Sequence, residues 1–226
     1  MKRIGLVIAT NREYSIIFKD ETIKSEIVEE KPFNIHKLSI NNKEIYAIKS
    51  DIGEINAALA TQYLIDKYHV ELILNYGVVG SLKDNLDVRN VVFVNRIFDY
   101  ELDISALGGP RGYRKEFDDT YVYPSKEILE KIKPYFKNIS EVTCASGNKF
   151  ISDENEKEFL AKEFEADICE MEALGIAIAA HKYNVPTLFV KGVSDSKSGG
   201  ASEFEKMIIE SSECTFKILL KITEIL

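Results

Sequence analysis

Short apolar runs alternate with longer amphipathic segments along the chain, and this pattern predicts alternating strands and helices. The apolar runs have the length of buried strands and fall at residues 3–9, 72–74, 91–94, 142–145 and 188–190. The amphipathic segments predict helices at residues 11–18, capped by Asn11, and at residues 56–68, 125–136, 173–180 and 202–226. This order is typical of an α/β fold in which helices cover a largely parallel sheet.

Residues 33–50 follow a different pattern from the rest of the chain. Apolar and polar residues alternate there, and the pair Asn41-Asn42 separates the two halves. This alternation around a central Asn pair predicts an antiparallel hairpin. The sheet is therefore expected to be mixed.

Glycine-containing turns are predicted beside the strands, at residues 51–56, 75–82, 146–151 and 192–196. Open α/β sheets bind ligands at the carboxyl ends of their strands, so these turns are candidates for a site. A longer polar stretch with several glycines covers residues 99–115, and we interpret it as a loop that passes over the same site.

Composition indicates an ordinary globular protein. The chain has 226 residues, of which 45% are hydrophobic, and we predict one domain over residues 1–226. The formal net charge of -8 is spread along the sequence without a Lys/Arg-rich block, so nucleic acid is not an expected partner. Residues 10–13 interrupt the N-terminal apolar run before it reaches the length of a signal sequence or a membrane span, so no membrane association is expected.

The cysteines and histidines argue against a disulfide framework and against a metal site. Three cysteines at wide spacings, without a CxxC pair, predict reduced thiols and a cytoplasmic protein. The three histidines are scattered, and none lies at a ligand-like spacing from another histidine or from a cysteine.

Residues 167–196 carry two carboxylates in unlike settings. We predict that Glu172 opens a helix, with the neighbouring acidic residues in a first turn where the helix dipole favours negative charge, and that Asp195 ends a buried strand. Glu13 follows the first strand and should reach the same edge of the sheet. Taken singly, Glu13 is more often a carboxylate at a helix start, and Asp195 is more often an acceptor for turn amides.

Five segments in a fixed order carry a family resemblance: IGEINAA at 52–58, NYGVVGSL at 75–82, ASGNKFI at 145–151, EMEALGIA at 170–177 and VSDS at 193–196. With them, the chain resembles the purine nucleoside phosphorylase and uridine phosphorylase superfamily, most closely the 5′-methylthioadenosine/S-adenosylhomocysteine nucleosidases. The resemblance implies a three-layer α/β/α sandwich around a mixed, partly barrel-like sheet. It also implies a homodimer that hydrolyses the N-glycosidic bond of a purine nucleoside.

The same resemblance implies roles for the acidic residues and their neighbours. Asp195 would protonate N7 of adenine, oriented by Ser194, and Glu13 would take a proton from the attacking water. Glu172 would accept hydrogen bonds from ribose hydroxyls, with Met171 packed on the sugar. Because the carboxylates suffice for this chemistry, neither a metal ion nor an organic cofactor is implied.

Further positions match the substrate-binding residues of the family. Phe150 would stack on the purine, and the backbone of Ile151 would read the edge of the base. Ile52 and Val78 would line the sugar or sulfur end, and Lys191 stands where an arginine is usual. Core packing and ordinary strand–helix junctions account for the same residue types.

Departures from the family pattern leave alternatives open. Asn148 replaces an aspartate of the SGDxF pattern, which leaves adenine only as the leading base, and Asp51 replaces a glycine. Residues 9–13 read ATNRE in place of a phosphate-binding GDPxR-type loop, which favours water over phosphate, although Arg12 offers one cationic group. The alternatives are a phosphate-dependent phosphorylase, a futalosine-type hydrolase and a non-catalytic nucleoside-binding or storage protein.

Overall fold

The structure, a computed structural model, describes residues 1–226 and contains ten strands and six α-helices. The strands are β1 (Arg3–Ile8), β2 (Lys24–Glu29), β3 (Ile35–Ile40), β4 (Lys43–Lys49), β5 (Leu72–Ser81), β6 (Val91–Asp99), β7 (Tyr121–Val122), β8 (Ser140–Ser146), β9 (Ile168–Glu170) and β10 (Thr187–Asp195). The helices are α1 (Asn11–Ile16), α2 (Glu54–Tyr68), α3 (Lys126–Ile132), α4 (Glu154–Glu163), α5 (Ala173–Lys182) and α6 (Ala201–Ile225). No helix combines the length and the apolar character needed to cross a bilayer.

All ten strands belong to one mixed sheet that closes partly on itself. Strand β10 pairs in parallel with β5 and antiparallel with β6, which closes β5, β10, β6, β8 and β9 into a five-stranded barrel. Strands β1, β4, β3 and β2 continue outward from β5. The predicted mixed, partly barrel-like sheet is therefore confirmed.

Helices cover both faces of this sheet. On one face, α2 and α5 pack on the strands and form a core with buried residues such as Ala60, Leu64 and Leu174. On the other face, α1, α3 and α6 form a second core with Ile16, Ile132 and Leu219 among its buried members. The result is the predicted three-layer α/β/α arrangement. The central strands are buried on both sides, which explains why their sequences are apolar runs without alternation.

Local signals account for two of the predicted boundaries, with one correction. Asn41 and Asn42 both have positive φ, at 50° and 62°, as a two-residue hairpin turn requires, and the β3–β4 hairpin is confirmed. The cap of α1 is Thr10 rather than Asn11. The Thr10 hydroxyl accepts a hydrogen bond from the Glu13 amide at 3.3 Å, and the Glu13 carboxylate accepts one from the Thr10 amide at 3.0 Å, which is a capping box.

Other sequence-based assignments were wrong or incomplete. Residues 75–81 continue β5 instead of forming a turn, because the glycines there make room for neighbouring side chains and do not break the strand. Four elements have no signal in the hydrophobic pattern: α4, whose sequence ENEKEFLAKE is mostly charged, and the short or exposed strands β2, β7 and β9.

Helices α2 and α5 meet at their N-terminal ends around Gly175. A Cβ added to Gly175 would overlap the carbonyl oxygen of Glu54, so only glycine allows this close approach. The contact fixes the start of one helix against the start of the other.

Replacement of Gly175 by alanine should lower the free energy of unfolding by about 1–3 kcal/mol, because the added methyl group overpacks the contact. Helix propensity alone would change stability in the opposite direction by about 1 kcal/mol. Urea denaturation measures the sign. The control Ala179→Gly, at a half-buried position of the same helix, should cost only the propensity difference, and a Gly175→Ala protein at least as stable as wild type would contradict the close contact.

Candidate active site

A cavity lies at the carboxyl ends of β1, β9 and β10 and against the second half of β5. Its position agrees with the expected location of ligands in open α/β sheets. Four of its lining residues are acidic: Glu13, Glu170, Glu172 and Asp195. The others are small, apolar or hydroxyl-bearing: Ala9, Thr10, Ile52, Val78, Val79, Gly80, Phe150, Cys169, Met171, Ser194 and Phe204. No lysine or arginine lines this cavity.

The structure brings most of the predicted site residues to this one cavity. The eight that line it are Glu13, Ile52, Val78, Phe150, Met171, Glu172, Ser194 and Asp195. Ile151 lines a smaller pocket that adjoins the cavity and shares Phe150 and Asp195 with it. Lys191 lines neither of the two.

Glu13 is held in a fixed orientation from both sides. One carboxylate oxygen accepts hydrogen bonds from the Thr10 amide at 3.0 Å and from the Thr10 hydroxyl at 2.7 Å, and the other accepts one from the Val78 amide at 2.9 Å. The Tyr76 hydroxyl donates to the main-chain oxygen of Glu13. A Cβ at Gly77 would lie 2.7 Å from Glu13 Oε1, so this glycine in β5 gives the carboxylate its space.

Asp195 lies opposite, at the end of β10, and is only 1% exposed. Its Oδ1 lies 2.9 Å from the Ser194 hydroxyl, and its Oδ2 lies 2.5 Å from Nζ of Lys157. Burial raises the pKa of Asp195, while the hydrogen bond and the charge of Lys157 act in the opposite direction. Gly80 gives Asp195 its space, because a Cβ there would lie 3.0 Å from Oδ2.

The sequence pattern did not reveal Lys157. This residue sits in the charged helix α4, where a lysine is normally assigned to solvent, yet it is 0% exposed. The buried position behind Asp195 follows from the packing of α4 against the barrel, for which the local sequence carries no signal.

Glu170 and Lys191 form a second buried pair. Glu170 ends β9, and its carboxylate accepts hydrogen bonds from the Glu172 and Ala173 amides at the start of α5, at 2.9–3.2 Å. Lys191 Nζ donates to Glu170 Oε2 at 2.9 Å. Lys191, which was predicted to bind substrate, is instead buried, and its ammonium pairs with the Glu170 carboxylate. Glu170 also lies outside the first turn in which it was predicted, although its charge does meet the helix dipole.

Glu172 is the N-cap residue of α5, as expected for a residue that opens a helix. Its Oε1 accepts a hydrogen bond from the Gly53 amide at 2.9 Å. Burial, followed by the negative charge of Glu170, raises the pKa of Glu172 to about 8. The carboxyl group therefore holds a proton through much of the neutral range.

Two aromatic rings border the cavity. Phe150 and Phe204 meet edge to face, with ring centroids 5.2 Å apart and an interplanar angle of 70°. Phe150 is 40% exposed, so a face of its ring is available to a ligand. Phe204 belongs to the C-terminal helix α6, and the sequence pattern did not predict that it lines the cavity.

The unusual residues of the sequence lie outside the cavity. Asp51 has φ of 68°, a left-handed conformation that explains why glycine is usual there, and its side chain pairs with Lys49. Asn148 accepts a hydrogen bond from the Glu54 amide at 3.0 Å and donates one to Glu101 at 3.1 Å. Arg12 pairs with Glu205 at 2.5 Å.

The long polar loop at residues 99–115 was predicted to pass over the site, but within a single chain it does not reach the cavity. None of residues 99–115 lines the cavity. Arg114 pairs with Asp99 and holds the loop against the end of β6, and Glu101 accepts a hydrogen bond from Asn148, which lies outside the cavity. No cluster of three or more His, Cys, Asp or Glu side chains has the arrangement of a metal site.

Comparisons with known proteins agree with this geometry. A family model described as the phosphorylase superfamily matches residues 3–224. The 5′-methylthioadenosine/S-adenosylhomocysteine nucleosidase of Staphylococcus haemolyticus is 28% identical over 99% of this chain and 100% of the relative. The aminodeoxyfutalosine nucleosidase of Campylobacter jejuni is also 28% identical, over 99% of both chains. The solved structure of the futalosine hydrolase of Helicobacter pylori superposes with a TM-score of 0.93 at 26% identity, covering 100% of this chain and 98% of that one.

The raised pKa of Glu172 predicts a pH-dependent stability. Between about pH 4.5 and 8 the folded protein retains a proton on Glu172 that the unfolded chain releases, so stability should fall as pH rises through this window. The slope contributed by one group is at most about 1.4 kcal/mol per pH unit. Glu172→Gln should remove this contribution, and urea denaturation at several pH values measures it. The exposed Glu163→Gln is the control, and identical slopes for wild type and Glu172→Gln would contradict the assignment.

Proposed function

Because this chain belongs to the phosphorylase superfamily, we propose that it hydrolyses the N-glycosidic bond of a purine nucleoside. The leading substrate is 5′-methylthioadenosine or S-adenosylhomocysteine, with adenine and the thioribose as products. The observation that carries this proposal is the arrangement of Glu13, Glu172 and Asp195 around one cavity with an aromatic and aliphatic wall. Relatives of nearly full length that are named as nucleosidases support it.

Asp195 is the proposed acid. Cleavage passes through an oxocarbenium-like sugar while negative charge builds on the departing purine, so a proton delivered to the base accelerates departure. Burial favours the protonated form that this step requires, and Phe150 offers an exposed ring on which the base can stack. The adjoining position of Ile151 suits its proposed role at the edge of the base.

Glu13 and Glu172 serve the sugar side. Glu13, oriented by the Thr10 and Val78 amides, is the proposed base for the attacking water. Glu172 binds the ribose hydroxyls, and Met171 packs beside it on the sugar. As positive charge develops on the ribose, it favours the ionised form of Glu172, so this interaction strengthens toward the transition state.

The charges at the cavity favour water over phosphate as the nucleophile. No lysine or arginine lines the space, so a phosphate dianion would find no cation there to neutralise it. The basic groups that could have bound phosphate are engaged elsewhere, Arg12 with Glu205 and Lys191 with Glu170. A phosphorylase normally supplies basic groups and amides to neutralise this anion.

Aminodeoxyfutalosine is the second candidate substrate. The relative named as an aminodeoxyfutalosine nucleosidase is as similar to this chain as the methylthioadenosine/S-adenosylhomocysteine nucleosidase, at 28% identity each. The two candidates share the base and the glycosidic bond that the proposed carboxylates act on, so they differ in the group attached to the 5′ carbon.

Purified protein in phosphate-free buffer should release free adenine and a free sugar from 5′-methylthioadenosine, and added phosphate should not raise the rate. Asp195→Asn should lower kcat by at least about a hundredfold with substrate binding retained, because it removes the proposed acid. Adenine release measured by chromatography over a panel that includes aminodeoxyfutalosine ranks the substrates.

Asp84→Asn is the matched control for this experiment, since Asp84 is exposed and does not line the cavity. Strict dependence on phosphate would establish a phosphorylase instead. Tight nucleoside binding with the same negligible turnover in wild type and Asp195→Asn would establish a binding or storage protein.

We also propose that the chain forms a homodimer through α2. Ile52, Ile55 and Leu59 form an apolar stripe at the start of this helix, with exposed fractions of 55%, 74% and 53%. A contiguous exposed apolar stripe of this kind is typical of an interface. Ile52 also lines the cavity, so a second copy packed on the stripe would extend the cavity wall.

Size-exclusion chromatography with light scattering should show a dimer for wild type and a monomer for the Ile55→Glu/Leu59→Glu double variant, because two buried charges would destabilise the interface. Tyr135→Glu, at a 68% exposed aromatic residue on the opposite face, is the control and should remain dimeric. A monomeric wild type would refute the proposal.

A cytoplasmic location is proposed on separate grounds. All three cysteines are free thiols, and two of them are buried. Reduced cysteines without partners are typical of a reducing compartment.

A further inference from the structure

Lys157 is a buried cation that contacts the proposed acid without lining the cavity. Its side chain is 0% exposed, and its ammonium group has three acceptors, which equals its number of hydrogens. These are Asp195 Oδ2 at 2.5 Å, the Ser196 carbonyl at 2.7 Å and the Gly199 carbonyl at 2.9 Å. A lysine is almost never fully buried without a partner of this kind, so its position is specified by these contacts.

The two oxygens of the Asp195 carboxyl group therefore have different surroundings. Oδ2 faces the ammonium of Lys157, which excludes a proton from that oxygen. Oδ1 faces the Ser194 hydroxyl at 2.9 Å, and the same hydroxyl lies 3.1 Å from the main-chain oxygen of Val79. A hydroxyl has one hydrogen, so Ser194 can donate it to Oδ1 when Asp195 is ionised. When Oδ1 carries a proton, Ser194 can instead donate to the Val79 carbonyl and accept a hydrogen bond from Oδ1. Oδ1 thus has a partner in both protonation states.

We propose that Lys157 is a positioning residue for the proposed reaction: it holds Asp195 by Oδ2 and leaves Oδ1 as the oxygen that carries and delivers the proton. This inference rests on the proposed function. In the step, the C–N glycosidic bond breaks with its electron pair passing to the base, and the Oδ1 proton passes to a ring nitrogen. Asp195 is left as a carboxylate beside the ammonium, which stabilises it after the transfer.

Few other charged or titratable groups surround Asp195. From α6, Glu203 accepts hydrogen bonds from the Ser196 amide at 2.6 Å and the Ser196 hydroxyl at 2.8 Å, and its negative charge favours the protonated form of Asp195. From β9, the thiol of Cys169 lines the same cavity, and its pKa is raised by burial to about 12. From β5, Gly80 presents no side chain. Lys157 is therefore the only cation in contact with the acid.

Two properties of Lys157 can be separated by substitution. Lys157→Met keeps a chain of similar length without the charge or the donors, and Lys157→Gln keeps a donor without the charge. Loss of the positive charge should raise the pKa of Asp195 by about one to three units in either variant, because an opposite charge at contact distance has an effect of this size. The acid also becomes weaker and less well oriented, so kcat should fall by about tenfold or more while KM changes little.

The test measures the Asp195 carboxyl titration by ¹³C NMR in protein labelled at aspartate, with Asp195→Asn to assign the signal, and the pH profile of kcat on 5′-methylthioadenosine. An upward shift of the titration and of the alkaline limb in Lys157→Met, or in Lys157→Gln if the first variant fails to fold, supports the proposal. An unchanged titration in a folded variant that has only lost stability would overturn it.

The NMR titration does not require turnover, so the two proposals fail in distinguishable ways. An inactive wild type in which the Asp195 signal still responds to Lys157 substitution would refute the proposed hydrolysis alone. An active wild type whose pH profile is unaffected by either substitution would refute the role of Lys157 alone.

Discussion

Burial of several carboxylates around one space is the constraint on which the rest of the structure depends. A carboxylate removed from water is costly unless it is paired, hydrogen-bonded or protonated, and the four acidic residues of the cavity use all three solutions. Asp195 and Glu170 each contact a buried lysine, Glu13 receives backbone amides and a hydroxyl, and Glu172 tends to keep its proton. Neither lysine lines the cavity, so the cavity wall presents acidic groups and no basic group to a ligand.

The backbone is shaped around these side chains. Strand β5 passes between Glu13 and Asp195 and has glycine at the two positions where a Cβ would come within about 3 Å of their carboxylate oxygens. The strand thus continues to pair with β10 and β9 while both acids approach it closely. Stability of the sheet and placement of the acids are consequences of the same residues, which is why the site cannot be moved without changing the barrel.

Much of this arrangement could be predicted from the sequence, for reasons that differ between elements. The buried strands are apolar runs, and the Asn41-Asn42 turn marks the hairpin, so local signals suffice for them. The candidate site residues were predicted because short segments resemble a known family in order and spacing. The predicted strand at 72–74 is shorter than β5 because glycine normally weakens a strand. The glycines of β5 leave space for carboxylates that lie far away in sequence, so the local sequence does not reveal this role.

The residues that were missed depend on tertiary contacts. Lys157 looks like any lysine of a charged surface helix, and its buried ion pair arises only when α4 packs beside the end of β10. Phe204 looks like a packing residue of α6, and its position in the cavity wall beside Phe150 is seen only in the structure. Lys191 was predicted to bind substrate because its hydrogen bond to Glu170 is not visible in the sequence. Such pairings have no periodicity that a sequence pattern could reveal.

The junction between the N-terminal ends of α2 and α5 links the interior of the protein to its surface. The Gly175 backbone lies against Glu54, and the Glu172 carboxyl group accepts a hydrogen bond from the Gly53 amide, so two separate contacts join the two helix ends. The apolar stripe of α2 begins at the same place. A change in the position of that helix end would therefore displace the Glu172 carboxyl group in the cavity wall as well.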